Sequence, residues 1–169
     1  NPRALPGTSD LVLEVTESKP YTLSFDSDNF GSQYTGEVRF GFSATHANIF
    51  TLGDQFSARY TRSNGELNSY SPFYTFPVNA YGTRIKLSYS FSENELSDSL
   101  DYLDAGGESF TYGLEVSHLL HKNRKASFSA RTGLNIKSSE NTSGMINTTK
   151  DNLTEVFLGF GGNFTDSYL

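Results

Sequence analysis

Cysteine is absent, so disulfide frameworks, thiolate metal sites and cysteine nucleophiles are excluded across the 169 residues. Tryptophan is absent as well, and methionine occurs once. Long apolar runs are missing: no stretch approaches the ~18–20 consecutive apolar residues of a transmembrane helix. Basic charge is short, with 13 Lys and Arg against 19 Asp and Glu and a net charge of −6. Phosphate neutralisation needs clustered Lys and Arg, so no nucleic-acid partner is expected. Signals for chemistry are missing too. There is no Gly-x-Ser-x-Gly elbow, no phosphate loop and no dinucleotide fingerprint, and the three His lack triad context. Neither an enzyme nor a cofactor is expected. The opening run Asn1 to Gly7 lacks the basic region and apolar core of a signal peptide. It has no initiator Met, and Asn163 to Leu169 stops in the tail of a strand-like pattern. The chain reads as an internal piece of something longer.

What is present is aromatic and hydroxyl-rich: ten Tyr, fourteen Phe and many Ser and Thr. These residues alternate with the period of a strand. Asp10 to Glu17 reads as a short strand that Lys19-Pro20 breaks. Then Tyr21, Leu23 and Phe25 share one face and Thr22, Ser24 and Asp26 the other. The same alternation recurs through Val38–Thr45, Gln55–Thr61, Arg84–Phe91, Phe110–Ser117, Phe128–Lys137 and Val156–Phe164. Ser69 to Val78 is an aromatic strand made irregular by two prolines. About eight strands therefore follow residue 20, several near the ~9–11 residues that cross an outer membrane at a tilt. Only Asn94 to Leu103 could form a helical turn or two. The chain is expected to be all-β and antiparallel.

The connections are asymmetric. Asn48 to Gly53, Asn79 to Gly82 and His121 to Lys125 are compact. Arg62 to Asn68, Glu93 to Glu108 and Ser138 to Asn152 are longer and polar. Successive turns of a meander lie at opposite ends, so one end is trimmed and the other loop-rich, as in a transmembrane β-barrel. A soluble sandwich or lipocalin-like barrel also alternates. A solvated face usually carries ~25–35% charged residues, however, and the polar positions here are mostly Ser, Thr and Gly. The mean hydropathy of −0.45 is no objection. In a barrel only every second residue meets lipid, which dilutes the average. A closed eight-stranded surface barrel, structural or adhesive, fits the same pattern.

Four segments carry a family resemblance: Gly7-Thr-Ser-Asp-Leu-Val-Leu-Glu-Val-Thr-Glu17, Asp28-Asn-Phe-Gly-Ser-Gln-Tyr-Thr-Gly36, Ala47-Asn-Ile-Phe-Thr-Leu-Gly-Asp-Gln55, and Tyr74-Thr-Phe-Pro-Val78 with Leu87-Ser-Tyr-Ser-Phe91. In this order they resemble the outer-membrane (TpsB-type) transporter of two-partner secretion, the haemolysin activation/secretion protein family. The resemblance implies a sixteen-stranded transmembrane β-barrel preceded by periplasmic POTRA (polypeptide-transport-associated) domains. Residues 1–19 would be the last strand of a POTRA domain and a linker, and 20–169 the first half of the barrel. It implies a pore in the bacterial outer membrane, in contact with lipid, that secretes a large unfolded exoprotein of haemolysin or adhesin class without ATP. Barrel-assembly members of the same superfamily remain an alternative. The family's best-known functional residues belong to parts absent from this chain, so none is carried over.

In a barrel, Arg39, Arg59, Arg84, Lys86, Glu115, Arg131 and Lys137 would face the lumen. Six basic residues to one acidic suggest a basic wall that prefers anions and guides an extended polypeptide. Ordinary polar residues of a wet lumen are the plainer reading. Glu93, Glu95, Asp98, Asp101, Asp104 and Glu108 make the longest loop acidic, without the turn and bidentate Glu of a calcium loop. His118 and His121, three apart, fall on opposite faces of a regular strand. No metal site is expected. Sequons at Asn141, Asn147, Asn152 and Asn163 are compositional. Gly159, Gly161 and Gly162 either let the last strand bend or accept a close neighbour, or simply fill a crowded wall.

Overall fold

The alternating segments assemble into one antiparallel sheet. The computed structural model describes residues 14, 19–95, 105–144 and 147–165. It contains β1 (Tyr21–Asp28), β2 (Arg39–Ala47), β3 (Gln55–Ser63), β4 (Leu67–Tyr70), β5 (Phe73–Pro77), β6 (Thr83–Glu95), β7 (Ala105–Lys122), β8 (Ala126–Ser143) and β9 (Asn147–Phe164). No helix occurs among the described residues. Apart from Glu14 and Lys19, the segment expected to end a POTRA domain lies outside them, as do 96–104 with Asp98, Asp101 and Asp104.

The sheet is a meander in sequence order, with β4 and β5 together filling one position between β3 and β6. Tyr60 stands opposite Tyr70 and Ser57 opposite Phe73, so the register crosses Ser71-Pro72 without a slip. Arg59 and Ser71 exchange backbone bonds, and the Tyr89 N–H donates to the Pro72 carbonyl. Pro72 only withholds one N–H from the ladder. The expected irregular strand is thus regular in register, and eight strand positions stand where about eight were expected. β1 pairs only with β2 and β9 only with β8. The described sheet is therefore open, which removes the closed eight-stranded alternative.

Residues directly opposite in such a sheet share a face. One rung runs Phe25, Phe42, Tyr60, Tyr70, Phe91, Phe110 across the sheet. From Tyr60 onward its rings are neighbours, with centroids 4.7 Å apart for Tyr60–Tyr70, 6.2 Å for Tyr70–Phe91 and 4.9 Å for Phe91–Phe110. Two residues further along the strands, the same face turns charged: Arg62, Asn68, Glu93, Glu108, Glu140 and Lys150 form the next rung. In the other direction it becomes aliphatic, with Leu87, Leu114, Leu134 and Val156 in line. An aliphatic band bounded by an aromatic girdle and then by charge is the outer profile of a membrane barrel.

No hydrophobic side chain among the described residues is buried, and large apolar side chains stand exposed along the sheet, such as Phe160 at 75%. A soluble sandwich or small barrel would pack one face to dryness. The dry face that a soluble sandwich or barrel requires is thus not formed among the described residues.

The connections β2–β3 (48–54), β5–β6 (78–82) and β7–β8 (123–125) share one end and are short, as expected. The opposite end differs from expectation. β3 and β4 are joined by only 64–66, and the 138–152 segment is not a loop. It continues β8 to Ser143 and resumes as β9 at Asn147, with Ser139 opposite Asp151 and Asn141 opposite Thr149. Past the aromatic girdle both faces are polar, so the alternation loses its hydrophobic contrast while the pairing persists. Glu93, Glu95 and Glu108 likewise lie in strands, and Asn94 begins no helix.

Candidate functional site

The face opposite the aromatic girdle is built from small polar residues. One rung reads Asp26, Gly41, Thr61, Ser69, Ser92, Ser109, Ser139, Asp151. All seven residues singled out from the sequence lie on this face. Lys86 stands opposite Glu115, Ser117 opposite Arg131, and Thr111 opposite Lys137. Arg39 and Arg59 occupy the same face of β2 and β3, and Arg84 that of β6.

The expected basic wall is corrected by what faces it. Asp26, Asp28, Asp151 and Glu155 share the surface with Glu115. Arg39 donates to Asp28 at 2.8 Å, and Lys137 pairs with Glu155 at 2.9 Å. Arg59 reaches across β2 to hold Asp26 in a fork, at 2.9 and 2.8 Å, and also donates to Ser43. That reach crosses Gly41, where a Cβ would strike the guanidinium. The same device recurs where the Phe157 ring lies over Gly133, 2.6 Å from where a Cβ would stand. Gly159 lies beneath Arg131 in the same way, 3.0 Å from where a Cβ would stand, whereas a Cβ on Gly161 would make only an ordinary contact with Ser129. Long side chains therefore lie flat along the wall, and much of its charge is cancelled in place. Lys86 sits over the Phe73 ring, 4.7 Å from its centroid, and among the described residues it has no carboxylate partner within ion-pair distance.

His118 and His121 do not fall on opposite faces. A register shift between Leu119 and His121 pairs His118 with Ala130 and His121 with Phe128, which share one face. The bulge inserts one residue and restores the face. His118 Nδ1 is bonded to Thr83 Oγ1 and His121 Nε2 to Asn123.

The most elaborate local structure is the 48–54 turn, within the Ala47–Gln55 segment that carries part of the family resemblance. Asn48 and Gly53 take positive φ, 58° and 86°. Asn48 Oδ1 accepts the Gly53 N–H, and the chain folds around Asp54, which is 2% exposed. The carboxylate accepts N–H bonds from Ile49, Phe50 and Thr51 at 2.7, 2.9 and 2.7 Å, and the Tyr74 hydroxyl at 2.7 Å. Burial alone would raise its pKa. The Tyr74 hydroxyl and the three N–H groups outweigh that and hold it well below the usual carboxylate range. From the polar face Arg84 donates to the Gly53 carbonyl at 2.7 Å, so it clasps the turn.

A carboxyl with a lowered native pKa contributes stability above its unfolded value near ~3.9, lost only as pH falls through the native value. The amides of Ile49, Phe50 and Thr51 should therefore stay protected from hydrogen exchange at pH 4. Asp54→Asn places an amide N–H₂ among N–H donors and should speed their exchange roughly tenfold or more. Unchanged exchange in that variant would mean that the turn is held by something else.

An open antiparallel wall, apolar and girdled on one face and hydroxyl-lined on the other, defines a segment of a transmembrane β-barrel. The family profile described as haemolysin secretion/activation protein ShlB/FhaC/HecB matches residues 7–164, and the chain belongs to that family of two-partner secretion transporters. It is similar to the heme/hemopexin transporter protein HuxB of Haemophilus influenzae Rd, at 25% identity over 116 residues. The match covers 68% of this chain and 20% of that one. HuxB of a second Haemophilus influenzae strain is 24% identical over the same length. The chain thus spans about a fifth of the length of the curated relatives it matches. CdiB from Escherichia coli has the same fold over 90% of this chain and 30% of its own, with a TM-score of 0.81 at 20% identity.

Proposed function

We propose that this wall is one side of an outer-membrane pore through which a large, unfolded exoprotein is secreted without ATP. The observation that carries the reading is the contrast between the faces. One face has a burial requirement that only lipid or a partner can meet, since no apolar side chain among the described residues is buried behind it. The other presents hydroxyls and charges of which three basic residues are already paired, a surface that wets an extended chain with little grip. The family supports transport; the exoprotein's class, haemolysin or adhesin, rests on resemblance alone. The end bearing the 48–54 turn, where the chain enters β1 at Tyr21, would be periplasmic, with the POTRA region before it.

The test uses the full-length protein in its own outer membrane. Deleting its gene should leave the partner exoprotein in the periplasm, and restoring it should return the exoprotein to the surface or medium. Purified transporter in liposomes should pass the unfolded partner without nucleotide. Normal secretion in the deletion strain would sink the proposal, and a strict nucleotide requirement would sink its energetic part.

A further inference from the structure

The connection between β1 and β2 is ten residues long, 29–38, at the end opposite the 48–54 turn. A polar link of that length is free to swing. Here it is tied down. Ser63, the last residue of β3, is 3% exposed and lies on the polar face opposite Arg39. Its hydroxyl donates to the Thr35 carbonyl and accepts the N–H groups of Gly65 and Leu67, both at 3.1 Å. One side-chain oxygen thus joins the long connection to the tight β3–β4 turn. Asn64 closes a second clasp: its Oδ1 accepts the Val38 N–H at 3.0 Å, and its own N–H donates to the Val38 carbonyl at 2.8 Å. The Gly31 N–H donates to the Glu37 carbonyl at 2.9 Å, so the connection is also closed on itself.

The packing leaves no slack. Gly36 has φ +103° and is buried, and a Cβ there would strike the Gly65 backbone nitrogen. A Cβ on Gly65 would in turn stand 2.7 Å from the Gly36 nitrogen and the Thr35 carbonyl. These are backbone atoms and cannot move aside as a flexible side chain does. Because the Ser63 hydroxyl emerges on the polar face, the Thr35–Gly36 backbone that it holds lies over that face. It does not lie over the face with the aromatic girdle.

We infer that the 29–38 connection is a fixed lip that projects over one mouth of the pore and sets its bore, with Ser63 and Asn64 as the positioning residues. The inference rests on the pore reading above. A constriction of this kind acts through cross-section and lining. Its hold is hydrogen-bonded rather than covalent, so one substitution should release it.

The experiment is single-channel recording of the full-length protein in planar bilayers, comparing the parent with Ser63→Val and with Asn64→Ala. Thr35→Cys, whose side chain takes no part in the clasp, reports release through its rate of maleimide labelling. Folding of each variant is checked by the heat-dependent gel mobility of an intact barrel. Ser63→Val should speed labelling and raise conductance about twofold, and Asn64→Ala should act in the same direction. Faster labelling with parental conductance would place the lip outside the bore and overturn the inference. Parental labelling in both variants would show that the clasp holds nothing. If the parent opens no channel, the pore reading fails and takes the lip with it. A channel with an unaltered bore refutes the lip alone.

Discussion

In the proposed pore, removing two of the four arginines of the polar wall, as Arg39→Gln with Arg59→Gln, is expected to shift selectivity toward cations. Removing their partners, as Asp26→Asn with Asp28→Asn, should shift it toward anions. A simple count of basic side chains predicts only that losing arginine weakens anion preference. The structure predicts two shifts of opposite sign relative to the parent. The reason is that Arg39 and Arg59 are already balanced at 2.8 Å by Asp28 and Asp26, so each deletion exposes the surviving partner. Magnitude follows from Coulomb's law. A unit charge 10 Å from a permeating ion is worth ~0.4 kcal/mol in water. Two such charges, screened over a Debye length of about 10 Å at 0.1 M salt, change local ion concentration roughly twofold. Reversal potentials of the full-length pore under a salt gradient would show this as displacements in opposite directions. Displacement of both double variants in the same direction would show that the pairs do not govern permeation.

Much of this architecture is legible in the residues, for one physical reason. Each strand has a lipid-type face and a wet face, so period-two contrast is strongest where the membrane would be, as in Tyr21 to Asp26 and Ile85 to Phe91. Where that contrast stops, reading stops. Ser138 to Ser143 and Asn147 to Asn152 pair residue for residue, yet nothing apolar marks them as strand. The seven polar candidates were placed on one face correctly by alternation alone. Their electrostatics were not, because the counter-charges sit on other strands: the Asp26 partner is 33 residues away on β3, across β2. The bulge that aligns His118 with His121 leaves no local signature. Nor does a lone aspartate announce that three amides and a tyrosine hydroxyl converge on it, although Asn48 and Gly53 around it are turn residues. Gly41 and Gly133 are the reverse case. They look like loss of side chain, and the register turns them into the floor beneath Arg59 and Phe157.

Leu114→Arg should prevent or strongly destabilise assembly in the membrane, whereas Ser90→Arg should be tolerated. Leu114 is held in the aliphatic row between Leu87 and Leu134 and is 43% exposed, on the face that carries the aromatic girdle. If that face meets lipid, an arginine there is worth about 2–4 kcal/mol of destabilisation near the midplane. Native stabilities are only ~5–15 kcal/mol, so this is a large fraction of the total. Ser90 lies on the opposite face of β6, opposite Thr111, among hydroxyls that already share the surface with Arg59 and Lys86. An arginine there stays wet. The comparison is made by folding full-length variants into lipid vesicles and following heat-dependent gel mobility and urea midpoints. A soluble protein with the polar face outward predicts the same ranking in the membrane-free state, since Leu114 would then face a core. The discriminating condition is therefore lipid. If the wild-type chain in its full-length context folds to the same midpoint without vesicles, the aliphatic row is covered by protein and the membrane assignment falls. If folding requires vesicles, and Leu114→Arg loses stability progressively less as the substitution moves to Phe110 and then to Glu108, the cost follows depth. A cost that declines across the girdle and vanishes at the charged rung is what a bilayer imposes and a protein core does not.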